Sequence, residues 1–114
     1  MATYILRFRR ENKDFFDAIK DGTKSVETRA ASPRYIYIKR GDTLVFSCGG
    51  EILKKTVSRK EKFSNLPALI QKYDFRNINP FVHSKREFFD MYDGFPMYKQ
   101  KIKKFGILAF ELAG

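Results

Sequence analysis

The chain reads Gly22-Thr23-Lys24-Ser25-Val26-Glu27-Thr28-Arg29 at the point where its first predicted helix ends. Gly22 suits the left-handed backbone conformation that commonly follows the last turn of a helix. Side chains two positions apart lie on the same face of a strand, so Glu27 and Arg29 are expected to lie together. The long side chain of Lys24 can reach the same side. This stretch therefore predicts either a polar pocket or a charged surface edge.

The residues around this stretch predict an α+β fold. Alternating apolar residues and turn signals indicate strands at about 4–10, 25–28, 35–38, 43–47, 51–58 and 106–112. Apolar residues at helical spacing indicate three helices, which begin after the predicted caps Asn12, Ser64 and Ser84. Ser84 and Glu87 also form a capping-box pattern. Short strands separated by turns favour a small closed sheet, a β-barrel, over parallel βαβ units.

The composition is that of one strongly basic domain covering residues 1–114. Lys and Arg number 23 against 13 Asp and Glu, which gives a formal net charge of +10. An excess of this size in a small domain predicts a polyanionic partner, most simply nucleic acid. Solubility alone is the other explanation. The basic residues concentrate in three runs, at residues 7–10, 54–62 and 99–104.

The single cysteine, Cys48, excludes an internal disulfide and any zinc site built from several cysteines. We expect it to be a buried, inert thiol. The chain has no signal-peptide pattern and no apolar run near the roughly 18 residues that a membrane span requires. We therefore expect a cytoplasmic protein without a membrane association, and no cofactor or metal. The oligomeric state is open.

The motifs resemble those of the ASCH domain, a family of PUA-like β-barrels. The resemblance covers nearly the whole chain. It rests on the pattern Gly22-x-Lys24-x-x-Glu27-x-Arg29 after the helix, on a Gly41-Asp42 turn before a strand, and on the segments 16–19, 63–69 and 106–112. The resemblance implies a PUA-like barrel with a cleft beside the first helix and a role in RNA or nucleotide metabolism.

One branch of the family that this chain resembles consists of amidohydrolases that act on acylated cytidine. In that branch the motif lysine is catalytic, a threonine stands three residues later, and a glutamate comes from the second half of the chain. This sequence keeps the lysine as Lys24 and has Glu27 at the threonine position. The region expected to carry the second glutamate, at about residues 79–82, contains no acid.

Several further residues are candidates for binding. Arg7 and Arg9 lie on one face of the first strand, beside the expected cleft. His83 is the only histidine, and Ser84 follows it. Both also have a structural explanation: a single histidine such as His83 usually has a structural role, and Ser84 can cap a helix. Asp42 is expected to bond backbone groups of its own turn. The tyrosines are candidate stacking surfaces, of which one or two should face a ligand: Tyr35, Tyr37, Tyr73, Tyr92 and Tyr98.

Three functions are consistent with these residues. The first is RNA or nucleotide binding in a basic cleft that contains Lys24, Glu27 and Arg29. The second is a small metal-independent hydrolase of a modified nucleoside or of RNA. There Lys24 is base or nucleophile, Glu27 is its partner, and Arg29 stabilises negative charge. The third is an adaptor in a ribonucleoprotein assembly. A salt bridge on the surface is the alternative in which the three residues form no site.

Overall fold

Five strands form one mixed sheet in the computed structural model, which describes residues 1–114. The strands are β1 (Thr3–Arg7), β2 (Val26–Ala30), β3 (Thr43–Cys48), β4 (Glu51–Phe63) and β5 (Ile107–Ala113). The helices are α1 (Lys13–Asp21), α2 (Leu66–Lys72), α3 (Phe75–Ile78), α4 (Lys85–Asp93) and α5 (Tyr98–Phe105). None of these helices combines the length and the apolar composition needed to cross a lipid bilayer.

The strand order is β1-β3-β4-β5-β2, so β1 and β2 are the two edges of the sheet. The β1–β3 pair is parallel, and the other three pairs are antiparallel. The sheet curls into a half-barrel and does not close, because no strand pairing joins β1 to β2. The α+β class is confirmed, and the expected closed sheet is replaced by one with a gap between its edges.

The sheet is covered on both faces, as β5 makes clear. Alternate residues of a strand point to opposite faces. Accordingly Leu108 and Phe110 belong to one apolar cluster, which includes α1, and Ile107 and Ala109 belong to a second one. The second cluster contains residues of helices α2 to α5. Both clusters contain fully buried aromatic rings, so β5 is the centre of the hydrophobic core.

The helix ends follow the expected chemistry at Gly22 and Ser84 and differ from it at the starts of α1 and α2. Gly22 ends α1 with φ of 88°, a conformation that costs glycine little. Ser84 caps α4 by accepting the Glu87 N–H at 3.1 Å, while the Glu87 carboxylate accepts a backbone N–H at 2.8 Å. Asn12 precedes α1 but its side chain makes no capping bond. The cap of α2 is Asn65, one residue after the predicted Ser64.

Two segments differ from the prediction. Residues 35–38 form turns rather than a strand, because the backbone N–H of Tyr35 and of Ile36 both bond to the carbonyl of Ser32. The chain also has five α-helices where three were expected, since α3 lies in the predicted turn region and α5 lies in the basic run near residue 100. β4 is longer than predicted and has an irregularity between Val57 and Arg59.

Candidate functional site

A cleft of about 300 Å³ lies between the two edges of the open sheet. One side is formed by the end of β1 and the start of α1, and another by β2. The α3–α5 region completes it. The lining residues are Arg7, Phe8, Arg9, Asn12, Phe15, Lys24, Glu27, Thr28, Arg29, Ile78, Met91, Tyr92, Phe95, Pro96 and Tyr98. The gap in the half-barrel is therefore a mixed apolar and charged cavity.

Lys24 lies at the bottom of this cleft with only 5% of its surface exposed. Its Nζ donates to the carbonyl oxygens of Val26 at 2.8 Å and of Ile78 at 2.6 Å. Glu27 Oε1 lies 3.6 Å from the same nitrogen. Burial lowers the pKa of Lys24, and the nearby Glu27 carboxylate opposes that effect. Two backbone carbonyls therefore fix the position of the Lys24 amine. They use two of its three hydrogen-bond donors, and the third has no backbone partner.

Glu27 is equally buried and faces both cations of the motif. Oε1 accepts the Thr28 N–H at 2.9 Å, and Oε2 lies 3.4 Å from the Arg29 guanidinium. Burial acts to raise the pKa of Glu27, but the charges of Lys24 and Arg29 outweigh it and the pKa is lowered. Glu27 is therefore an ionised carboxylate. Its Oε2, which contacts Arg29 only at 3.4 Å, can accept a further N–H donor.

Arg29 is held in a fixed plane by two aromatic rings. Its guanidinium carbon lies 5.7 Å from the centroid of Phe8 and 5.5 Å from that of Tyr35. Burial acts to lower its pKa, and the Glu27 carboxylate raises it overall. Cation–π contacts and one carboxylate leave most of the five guanidinium donors unused. Arg29 is thus a preorganised donor group for an anion or for the oxygen atoms of a base.

The outer edge of β2 has no neighbouring strand, and side chains of the cleft bond its backbone instead. Lys24 donates to the carbonyl of Val26, as described above. The Tyr98 hydroxyl accepts the N–H of Ala30 at 3.2 Å and donates to the carbonyl of Thr28 at 3.5 Å. These bonds satisfy an edge that would otherwise be open to strand pairing. The same residues therefore shape the cleft and complete the fold.

Hydroxyl groups form another part of the cleft wall. The Thr28 hydroxyl is bonded to the Tyr92 hydroxyl, and both residues are buried. Burial raises the pKa of Tyr92 well above its usual value, and it raises the pKa of Tyr98 to about 12. The two tyrosine rings pack at a centroid distance of 5.6 Å. This wall offers neutral donors and aromatic surface at physiological pH.

The predicted site residues fall into two groups. Arg7, Arg9, Lys24, Glu27 and Arg29 all line the cleft, where Arg7 and Arg9 are its exposed rim. Among the candidate stacking tyrosines, the cleft contains Tyr92 and Tyr98.

The other predicted site residues lie elsewhere. Tyr37 is 75% exposed in the turn segment after β2 and does not line the cleft. His83 and Ser84 are exposed at the start of α4, where Ser84 serves as the helix cap. Asp42 is buried and accepts the backbone N–H groups of Ala2 and Lys39, each at 2.9 Å. The structure therefore gives these residues no contact with the cleft.

Several lining residues are not predicted as site residues by the sequence. The alternation of a strand places Thr28 on the opposite face of β2 from Glu27 and Arg29, so it is not expected to join them. Because β2 is an edge strand, residues from both of its faces can line the gap. Phe15 fits the core stripe of α1 by its spacing. Phe95 and Pro96 lie between α4 and α5, and the loss of a regular pattern there is the only signal for them.

Comparisons with known proteins establish the fold only. No protein-family model matches the chain, and no curated protein matches it. The crystal structure of hypothetical protein PH0355 is similar, with a TM-score of 0.78 and 26% identity over 98% of this chain and 97% of that one. The solution NMR structure of PF0455 from Pyrococcus furiosus has a TM-score of 0.75 and 28% identity, over 96% and 94%. Neither name states an activity.

Proposed function

We propose that this protein is an RNA- or nucleotide-binding domain of the ASCH type, with a PUA-like fold, whose cleft receives one nucleobase or nucleoside. The observation that carries the proposal is the position of the buried Lys24–Glu27–Arg29 cluster. It lies in a cleft of about 300 Å³ that also has aromatic walls and an arginine rim. A small pocket of mixed apolar and directed polar groups is typical of ligand sites.

Each group of the cleft suits a part of a nucleotide. The rings of Tyr92, Tyr98 and Phe95 offer apolar surface against which a base can pack. Glu27 is an acceptor for an exocyclic amino group, and Arg29 is a donor for a carbonyl or phosphate oxygen. Arg7 and Arg9 are exposed at the rim, where they can neutralise phosphate charge, although Arg9 also lies 3.8 Å from the exposed carboxylate of Glu11.

Titration with labelled RNA and with nucleoside monophosphates at two salt concentrations tests this proposal. We expect binding that weakens as salt increases, because part of the affinity comes from released counterions. Replacement of both Arg7 and Arg9 by Gln should weaken RNA binding. A matched variant, Lys39→Gln with Lys54→Gln, removes the same charge outside the cleft and should bind as the parent does. Absence of binding to any probe at low salt would exclude the function.

Hydrolysis of a modified nucleoside is the second candidate. The observation that favours it is the buried Lys24 amine, whose pKa is lowered by burial, 3.6 Å from a carboxylate oxygen. A lysine base or nucleophile must be neutral to react. Two backbone carbonyls accept hydrogen bonds from Lys24, and together with the Glu27 carboxylate they favour the charged form of the amine, which is unreactive. This is why binding is placed first.

The enzyme candidate is tested with acylated cytidines and with labelled RNA. Lys24→Ala and Lys24→Met should both abolish product formation if Lys24 is the base or nucleophile. Circular dichroism should establish that each variant is folded, since Met retains much of the buried volume. Equal turnover by the parent and by a folded variant would remove Lys24 from the mechanism.

The third function, an adaptor in a ribonucleoprotein assembly, would be favoured if no pocket surrounded Lys24. Lys24 does line a pocket, so this condition is not met.

A further inference from the structure

The cleft opens beside α5, a helix whose exposed charged residues are all basic. Its first residue, Tyr98, lines the cleft, and Ile102 is buried one turn further on. Four lysines are exposed on the remaining surface of the helix: Lys99, Lys101, Lys103 and Lys104. None of the four lies within 4 Å of a carboxylate oxygen.

These lysines repel one another, and none of them forms an ion pair with an acidic side chain. Lys99 and Lys103 are four residues apart, as neighbours on one side of a helix, and like charges at this spacing are unfavourable. Lys101 and Lys104 are three apart on the other side. The segment 94–105 contains no Asp or Glu. By contrast, Lys13 on α1 is paired with Asp17 at 3.0 Å. An external polyanion would relieve the repulsion on α5.

The three residues that lead from the cleft to α5, Phe95, Pro96 and Met97, are apolar. Met97, the residue before α5, is 65% exposed, and Phe95 and Pro96 line the cleft next to it. A strand leaving the cleft would pass over this apolar step and then along the lysines. Alternation of apolar contact and cations is the surface on which single-stranded nucleic acids bind. The eight residues of α5 extend about 12 Å, which is beyond the reach of a single nucleotide held in the cleft.

We infer that the cleft binds one nucleotide of a single-stranded RNA, and that the neighbouring phosphates of the same strand lie along the lysines of α5. This inference rests on the proposed function and narrows its ligand from a nucleotide in general to a polynucleotide. Arg7 and Arg9 are at the β1 side of the same cleft, so the strand can contact cations on both sides of the bound nucleotide. If the lysines of α5 bind an acidic protein segment instead of RNA, this inference is wrong.

The test compares a labelled RNA octamer of randomised sequence with the four nucleoside monophosphates. The variant Lys99→Gln with Lys103→Gln removes two cations from one side of α5 and keeps residues that favour helices. The control is Lys39→Gln with Lys54→Gln, which has the same net charge. Affinity is measured over a series of salt concentrations, because the slope counts neutralised phosphates.

We expect the octamer to bind the parent more tightly than any monophosphate. The α5 variant should lower the magnitude of the octamer's salt slope by about 1.4, at about 0.7 for each phosphate that the variant no longer neutralises. Its affinity for monophosphates should not change. The inference is overturned, and the proposed function stands, if monophosphates bind but the octamer binds no better than they do. The same conclusion follows if the octamer's salt slope is equal in the α5 variant and in the control variant. If no probe binds, the proposed function fails as well.

Discussion

The hydroxyl of Tyr98 lies 3.2 Å from the backbone nitrogen of Ala30, in the position that the next strand of the sheet would occupy. A residue of α5 thereby completes the outer edge of β2 from within the cleft. An unpaired backbone group at a buried edge is costly, which gives this side chain a structural role beside any role in binding.

Replacement of Tyr98 by Phe should lower the free energy of unfolding by about 2 kcal/mol, because it removes the partner of Ala30 and Thr28 and keeps the ring. The measurement is urea unfolding at neutral pH. Tyr37→Phe is the control, since Tyr37 is exposed and makes no side-chain hydrogen bond. Equal losses in the two variants would contradict the proposed edge contact.

The same tyrosine makes stability depend on alkaline pH. Its pKa is raised to about 12 in the folded protein, chiefly by burial, whereas a free tyrosine ionises near 10. The folded state therefore favours the neutral form, and this contribution is present below pH 10 and is lost as the pH rises from about 10 to 12. Urea unfolding at several alkaline pH values should show a shallower decline for Tyr98→Phe than for the parent.

Glu27→Gln should destabilise the protein by about 3 kcal/mol, because it leaves the buried Lys24 and the partly buried Arg29 without their carboxylate. The pKa of Glu27 is lowered in the folded state, so its contribution is present above the unfolded value of about 4.3 and is lost as the pH falls. The variant should therefore be less sensitive to acid than the parent. Unfolding midpoints measured between pH 3 and 7 check both statements.

The matched control for Glu27 is Glu51→Gln. Glu51 contacts Lys13 and Lys20 at 3.6 and 3.9 Å, but all three side chains are about half exposed or more. Exposed ion pairs contribute little because water and salt screen them. A loss of stability in Glu51→Gln as large as that in Glu27→Gln would mean that burial is not the cause.

Gly106→Ala should be strongly destabilising. Gly106 connects α5 to β5 with φ of 85°, and an added Cβ would lie 2.6 Å from the carbonyl oxygen of Phe63. The clash involves backbone on both sides, so neither partner can move cheaply. We expect a loss of about 3 kcal/mol in denaturant unfolding. Gly50 has φ of 92° and open space around it, so Gly50→Ala introduces backbone strain without a clash and should cost about 1 kcal/mol. The difference between the two variants therefore measures the clash.

Met97→Asn should stabilise the protein by about 1 kcal/mol. Met97 is the only residue other than glycine with a positive φ, at 60°, and asparagine tolerates this conformation better. Its side chain is largely exposed, so little packing is lost. Thermal unfolding is the measurement. Met97→Ala also removes the exposed side chain but retains the strain, and a gain of the same size in that variant would contradict the explanation.

Local sequence signals predict most of the elements correctly, and tertiary contacts explain the exceptions. The segment 35–38 alternates like a strand, but its turns let Ile38 enter the core while Tyr37 faces solvent. The last helix has a detectable signal, because Tyr98, Ile102 and Phe105 have helical spacing. The four lysines between them make the charge of this segment more conspicuous than its apolar period.

The cleft is predicted only in part for a similar reason. The two-residue period of a strand places Glu27 beside Arg29, and the long side chain of Lys24, just before the strand, can reach the same side. No local pattern could indicate that Tyr92 and Tyr98, more than sixty residues away, would meet Thr28 and Ala30. Contacts over such distances depend on how helices pack against the edge of the sheet, and a single sequence does not report that.

The parallel pairing of β1 with β3 affects the order in which the molecule assembles. The two strands bring together residues forty positions apart, as in the bond from the Ala2 N–H to Asp42, whereas β3 and β4 are joined by a tight turn. Contacts between distant residues form late because a long loop must close first. We therefore expect β1, with Arg7 and Arg9, to dock after the β3–β4 hairpin has formed. Substitutions on β1 should then accelerate unfolding and leave the refolding rate nearly unchanged in stopped-flow experiments.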